Sequence, residues 1–168
     1  ANAANNDEVE YDENGNVITK VSDSRFYKLT KIDEEYANYV KPDWHETIEL
    51  DALCEQFRNY AASKLHLYYD INLIRLFVSA FASNRLIILQ GISGTGKTSL
   101  AYAWGYFVKN ESTIASVQPS WRDSTEIYGY FNEFTKRFNE TQVLAKMYEA
   151  RYNPQIYLTV LDEMNISR

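Results

Sequence analysis

A single cysteine, Cys54, rules out an internal disulfide and with it a scaffold held by cross-links. Proline is scarce at 3 residues and glycine at 6, which excludes a collagen-like repeat. No stretch approaches the roughly 18 consecutive apolar residues of a membrane-spanning helix. The first residues are polar and acidic, without the basic-then-apolar order of a secretory signal, so a cytoplasmic protein without a membrane partner is expected. Basic residues are the minority, with 17 Lys plus Arg against 23 Asp plus Glu and a net charge of -6. This excludes a chain that is basic throughout and coats nucleic acid, while a local basic patch stays open.

What is present is a foldable composition. The 168 residues are 45% apolar and 15% aromatic, with 14 Tyr and 3 Trp, enough for one modest core and too few for two full domains. Residues 1–45 read as an N-terminal polar extension and linker. Within them Asp12-Glu13-Asn14-Gly15 marks a turn, with a hairpin possible between Val9–Asp12 and Asn16–Lys20. Phe26 to Tyr39 has no clean period. Residues 46–69 form a helical lead-in, with Ile48, Leu53, Phe57, Tyr60 and Leu65 near one face and Asp43 or His45 at its start. Residues 70–168 carry the denser pattern. Asp70 caps a helix over 71–83 with Ile74, Phe77, Val78 and Phe81 facing a core, and Asn84 ends it.

Leu86-Ile87-Ile88-Leu89 then reads as a continuous apolar strand, the form taken by parallel strands covered on both faces. A glycine-rich loop, a helix over 97–109, a strand over 113–118 and an aromatic loop to about Phe134 follow. A further helix carrying Phe138, Leu144, Met147 and Tyr148 precedes a third strand over 156–161. Alternating strands and helices of this kind predict an α/β fold with a parallel sheet flanked by helices. Ending soon after the third strand, the chain reads as the front part of a larger domain.

Gly91-Ile92-Ser93-Gly94-Thr95-Gly96-Lys97-Thr98 fits the G-x-x-x-x-G-K-[ST] phosphate-loop pattern in full, between an expected strand and an expected helix. Glycines let successive backbone N–H groups curl around a phosphate, and the helix that follows aims its free N–H groups at the same anion. Gly91, Ser93, Gly94, Thr95, Gly96, Lys97, Thr98 and Ser99 form the expected nucleotide-binding set, for ATP or GTP. Lys97 would reach the β- and γ-phosphates, and the Thr98 hydroxyl would join the Mg²⁺ shell. Downstream, Ile156 to Leu161 leads into Asp162-Glu163. Asp162 at that strand end would hold a water on Mg²⁺ beside Thr98, and Glu163 would polarise the water attacking the γ-phosphate. Lys97 and Glu163 are therefore the catalytic candidates, and Thr98 and Asp162 the metal candidates. A glycine turn and a solvated acidic turn are the bland alternatives.

Other residues tempt less. His45, Cys54 and His66 supply too few convergent ligands for a zinc site, and Cys54 reads as a small core residue. Tyr102, Trp104 and Phe107 read as packing residues of the helix after the loop. Trp121, Arg122, Tyr128, Tyr130 and Phe131, with Lys136 and Arg137 nearby, could reach DNA or a neighbouring subunit, though packing is favoured for Trp121 and Tyr130.

Three segments together carry a family resemblance: Gly91–Thr98, Gln118-Pro119-Ser120-Trp121 with Gly129-Tyr130-Phe131-Asn132, and Leu161-Asp162-Glu163-Met164-Asn165. They resemble the McrB-type branch of the AAA+ ATPases, over roughly Asp70 to Arg168. The resemblance implies a P-loop NTPase fold of AAA+ type, apparently truncated after the Walker B strand. It implies a homo-oligomeric ring with nucleotide between subunits, Mg²⁺-dependent triphosphate hydrolysis, and DNA translocation alongside a nuclease partner in a restriction or defence complex. Name-giving members use GTP and many relatives ATP. Asn165 corresponds to a geometry-setting asparagine, and Arg168 lies where an arginine would face a neighbouring protomer. The polar sensor, arginine finger and helical lid of such proteins have no counterpart in these residues. A nucleotide-binding assembly module, or a fragment without independent hydrolysis, is the alternative reading.

Overall fold

The computed structural model describes residues 10–11, 17–18, 24–43, 47–92 and 94–166. Three long helices build the main core: α2 (Leu50–Leu65), α3 (Ile71–Ser83) and α4 (Lys97–Phe107). α2 is free of β-branched residues and glycine, and Cys54, Phe57 and Ala61 recur on its buried stripe. It stops at His66, whose φ of 55° is left-handed, and the Leu67 N–H closes the end on the Ala61 carbonyl at 3.0 Å. α3 starts where Asp70 Oδ1 accepts the Asn72 N–H at 2.8 Å, and Asn84 ends it, as its sequence predicts. Ile74, Phe77 and Val78 point inward from it, with Phe81 partly buried. α4 contributes Leu100, Ala103 and Trp104 to the same cluster.

Aromatic rings dominate that cluster. Phe57 stands edge-on to Trp104 with centroids 5.0 Å apart, and Phe81 stacks on it at 5.6 Å. Phe77 and Phe107 close the remaining sides, each at 5.8 Å. Phe107 thus packs as the sequence suggests, whereas Tyr102 on the opposite side of α4 is 44% exposed. Ile48 is also exposed and lies outside α2, which begins two residues later than it.

The strands form three pairs rather than one continuous sheet. β1 (Glu10–Tyr11) and β2 (Val17–Ile18) pair antiparallel, whereas Val9 and the turn at 12–16 lie outside the described residues. β3 (Thr113–Ser116) and β6 (Thr159–Asp162) pair in parallel, with Thr113 opposite Thr159 and Ser116 opposite Asp162. Between these two in sequence come a one-turn helix α5 (Thr125–Tyr128), strands β4 (Gly129–Asn132) and β5 (Arg137–Glu140), and helix α6 (Gln142–Glu149). β4 and β5 make an antiparallel hairpin, so Phe138 belongs to a strand and not to the helix expected for it. The hairpin turn is held by Asn132, whose side-chain oxygen accepts the N–H groups of Phe134 and Thr135 at 2.9 and 3.1 Å.

The apolar run 86–89 departs from its expectation. It joins no ladder among the described residues, and Leu86 and Ile88 are 79% and 83% exposed. A parallel strand is buried only when neighbours pair with it and helices cover it. Here α2, α3 and α4 pack on one another, and the parallel pairing stops at β3 and β6. Ile88→Ser should therefore change the stability of this chain by no more than about 0.5 kcal/mol, read from urea denaturation. A loss above about 2 kcal/mol would show that the run is covered after all.

Helix α1 (Tyr27–Tyr36), in a region with no clean sequence period, packs against α6 and β5. Its own N-cap, Phe26, supplies no side-chain hydrogen bond. The Glu140 carboxylate does so instead, accepting the Lys28 and Leu29 N–H groups at 2.6 and 2.9 Å. At the other end Tyr36 and Tyr157 hydroxyls donate to Glu149 Oε1 at 3.1 and 2.9 Å, and Lys146 donates to Oε2 at 2.6 Å. Burial pushes the Glu149 carboxyl up, but the hydrogen bonds from Lys146, Tyr157 and Tyr36 outweigh it and hold the group below its usual range. Burial and the bond to Glu149 push the Tyr157 phenol well up, so it stays a donor. No helix among the described residues is long and apolar enough to cross a membrane.

Candidate functional site

The loop at 91–96 ends in the first turn of α4. Gly96 is the N-cap, with a φ of 83°, and Gly94 has a φ of 80°. Both are left-handed values that residues with a Cβ rarely adopt. The loop is further fixed by the Thr95 hydroxyl, which donates to the Ile92 carbonyl at 2.8 Å. The Lys97 ammonium turns back onto the loop, donating to the Gly91 and Ile92 carbonyls at 3.0 and 2.8 Å. Ser99 is half-buried one residue further along the helix than Thr98. Ser93 lies outside the described residues.

Asp162, the last residue of β6, reaches the same place. Its Oδ2 accepts the Thr98 hydroxyl at 3.0 Å, across a separation of 64 residues. Its Oδ1 accepts the Glu163 N–H, also at 3.0 Å. The register of β6 on β3 fixes this position, because the Val117 N–H donates to the Asp162 carbonyl at 3.0 Å and anchors the strand end. Glu163 follows at once and is exposed, with a φ of 57°. For a non-glycine residue that left-handed value is costly, and a short 3₁₀ helix (Met164–Ile166) begins directly after it. Asn165 lies in this turn and is exposed, whereas Arg168 is outside the described residues.

The structure thus brings together the loop, Lys97, Thr98 and Asp162, with Glu163 adjacent in the chain. Thr98 and Asp162 offer two hard oxygen donors side by side, which fits Mg²⁺, an ion that keeps several waters and takes few protein ligands. No group of three or more His, Cys, Asp or Glu side chains converges among the described residues. Cys54 is buried in the core, and burial pushes its thiol up. His66 caps α2, and His45 is outside the described residues.

One neighbour of the loop carries no motif signal. Tyr69 packs its ring against the helical core, and a Cβ placed on Gly96 would lie 3.5 Å from Tyr69 Cε1 and 3.8 Å from its hydroxyl. It precedes the Asp70 cap and falls outside every pattern used to locate the site. Elsewhere a cleft of about 590 Å³ opens between α1 and the hairpin, lined by Tyr27, Lys28, Arg137, Phe138 and Glu140 among others. Glu140 is already committed there as the cap of α1. The aromatic stretch divides: Tyr130 is 51% exposed, Trp121 is partly buried, and the Arg25 guanidinium lies 5.3 Å from the Phe131 ring centre.

No protein-family model, curated protein or solved structure matches the chain.

Proposed function

We propose that the chain binds a Mg²⁺-nucleoside triphosphate at residues 91–99 and hydrolyses it, as the nucleotide-binding part of an AAA+-type motor. The observation that carries this reading is the Thr98–Asp162 hydrogen bond of 3.0 Å, which unites two motifs distant in sequence at the N-terminus of one helix. The loop N–H groups and the start of α4 stabilise phosphate charge. Lys97 exchanges its contacts with the Gly91 and Ile92 carbonyls for phosphate oxygens. Mg²⁺, when bound, neutralises phosphate charge, with Thr98 and Asp162 as the residues that hold it. Glu163 takes a proton from the attacking water as a bond forms to the γ-phosphorus and the bond to the β-phosphate bridging oxygen breaks. The family resemblance extends the proposal to a homo-oligomeric ring that acts on DNA with a nuclease partner.

The test is titration of the folded chain with Mg-ATP and Mg-GTP, followed by phosphate release. Saturable binding of one or both is expected, and Lys97→Ala should weaken it at least tenfold without lowering the melting temperature. A folded chain that binds neither nucleotide refutes the proposal. Binding with nucleotide-dependent assembly and no phosphate release would make it a nucleotide-gated assembly module instead.

A further inference from the structure

We infer that Ser116 is a further positioning residue of the Mg²⁺ site, its hydroxyl accepting a hydrogen bond from a water of the metal's shell beside Asp162. The inference rests on the nucleotide-binding reading and adds to it a residue outside both motifs.

The register of the parallel pair carries it. Ser116 and Asp162 are the last partners of β3 and β6, matched Cα to Cα. Side chains alternate between the two faces of a strand, so residues matched in a parallel pair share a face. Asp162 is on the face covered by α4, because its Oδ2 accepts the Thr98 hydroxyl at 3.0 Å. Two more residues fix that face independently. Leu158, four residues before Asp162, packs against the buried cluster to which α4 contributes. On the other strand Ser112, four residues before Ser116, donates its hydroxyl to the Ala101 carbonyl of α4 at 2.6 Å. Val117, one residue past Ser116, falls on the opposite face and is buried, whereas Ser116 is exposed. Ser116 thus presents a solvent-accessible hydroxyl on the face, and at the strand end, where Thr98 and Asp162 meet.

The chemistry of the ion gives that hydroxyl a task. Mg²⁺ held by few protein ligands keeps several waters, and each such water has two protons to donate. The Asp162 carboxylate is one acceptor for them. A serine oxygen carries two lone pairs and, on the neighbouring strand, is a second acceptor set at a different angle. Neighbours that orient metal ligands in this way strengthen binding of the ion without contact to the nucleotide.

Ser116→Ala removes only an exposed hydroxyl, so the variant should melt within about 2 °C of the parent in EDTA. The measurement is calorimetric titration with ATP and with GTP, each in excess Mg²⁺ and again in EDTA. With Mg²⁺ the variant should bind about tenfold more weakly than the parent. In EDTA the two should agree within about twofold. Ser116→Thr, which keeps the hydroxyl, should restore the Mg²⁺-dependent affinity. Equal affinity of Ser116→Ala and parent under both conditions overturns the inference while leaving the nucleotide proposal standing. An equal loss with Mg²⁺ and with EDTA also overturns it, because the hydroxyl would then serve the nucleotide or the fold and not the metal. So does a loss that Ser116→Thr fails to restore. Absence of nucleotide binding by the parent removes both proposals together.

Discussion

Trp104→Ala should lower the stability of the chain by about 3–5 kcal/mol and move its urea midpoint well below the parent's. Trp104 is 2% exposed and touches the ring of Phe57 edge-on, with Phe77, Phe81 and Phe107 around it. Truncating a buried tryptophan costs about 3–5 kcal/mol, from lost transfer energy and the cavity left behind. A single small domain has about 5–15 kcal/mol in total. Edge-on and offset pairs contribute roughly 0.5–1.5 kcal/mol beyond area, which places the loss toward the upper end of the ~3–5 kcal/mol range. Three helices meet at this ring, so none can close the cavity without losing its other contacts. Trp104→Phe is the informative companion. The indole N–H has no partner among the described residues, so the smaller ring forfeits volume and no hydrogen bond. It should cost less than half as much as the alanine change. Far-ultraviolet circular dichroism against urea distinguishes the cases. A midpoint for Trp104→Ala equal to the parent would mean that the three helices do not share one cooperative core.

That core was legible in the sequence because its information is local. Leu53 and Phe57 in α2 and Ile74, Phe77, Val78 and Phe81 in α3 recur at helical spacing, and Asp70 and Asn84 bracket α3 with side chains suited to its ends. The same holds for the loop, where glycines, lysine and threonine occupy fixed positions. Helix α1 was not legible, because its capping group is Glu140, more than a hundred residues away, and its polar network runs through Glu149. The β4–β5 hairpin is hidden in the sequence for a related reason. Its turn uses the Asn132 side chain and a left-handed Lys136, without the Asn-Gly or Asp-Gly pair that announces a tight turn. Residues 86–89 mislead in the opposite sense. A run of Leu and Ile specifies hydrophobicity, whereas burial of a parallel strand depends on partners supplied by distant segments. At the site, Thr98 and Asp162 were anticipated as a pair from motif logic, but Tyr69 was not, since its proximity to Gly96 arises only when α3 packs beside α4.

Glu163→Gln should lower phosphate release by about 100-fold or more while Mg-nucleotide affinity stays within about threefold of the parent. The reasoning begins with the backbone. Asp162 ends β6, its carboxylate accepts the Glu163 N–H at 3.0 Å, and Glu163 holds a φ of 57° before the 3₁₀ turn starts. Ile166 then donates to the Glu163 carbonyl at 3.1 Å, so this conformation is fixed from both sides. A left-handed φ costs a glutamate about 1 kcal/mol or more relative to glycine. Glutamine meets the same backbone cost and has the same shape, so the change isolates the carboxylate and its ability to accept a proton. Glu163→Gly separates the two contributions. It should raise stability by about 0.5–1 kcal/mol by relieving the backbone, yet lose phosphate release as fully as the glutamine variant. Stability and turnover would then move in opposite directions at one residue, as expected when strain is retained to aim a side chain. Single-turnover phosphate release and thermal melting of the three proteins decide it. Parental release by Glu163→Gln would remove Glu163 as the base, and a Glu163→Gly variant less stable than the parent would remove the strain argument.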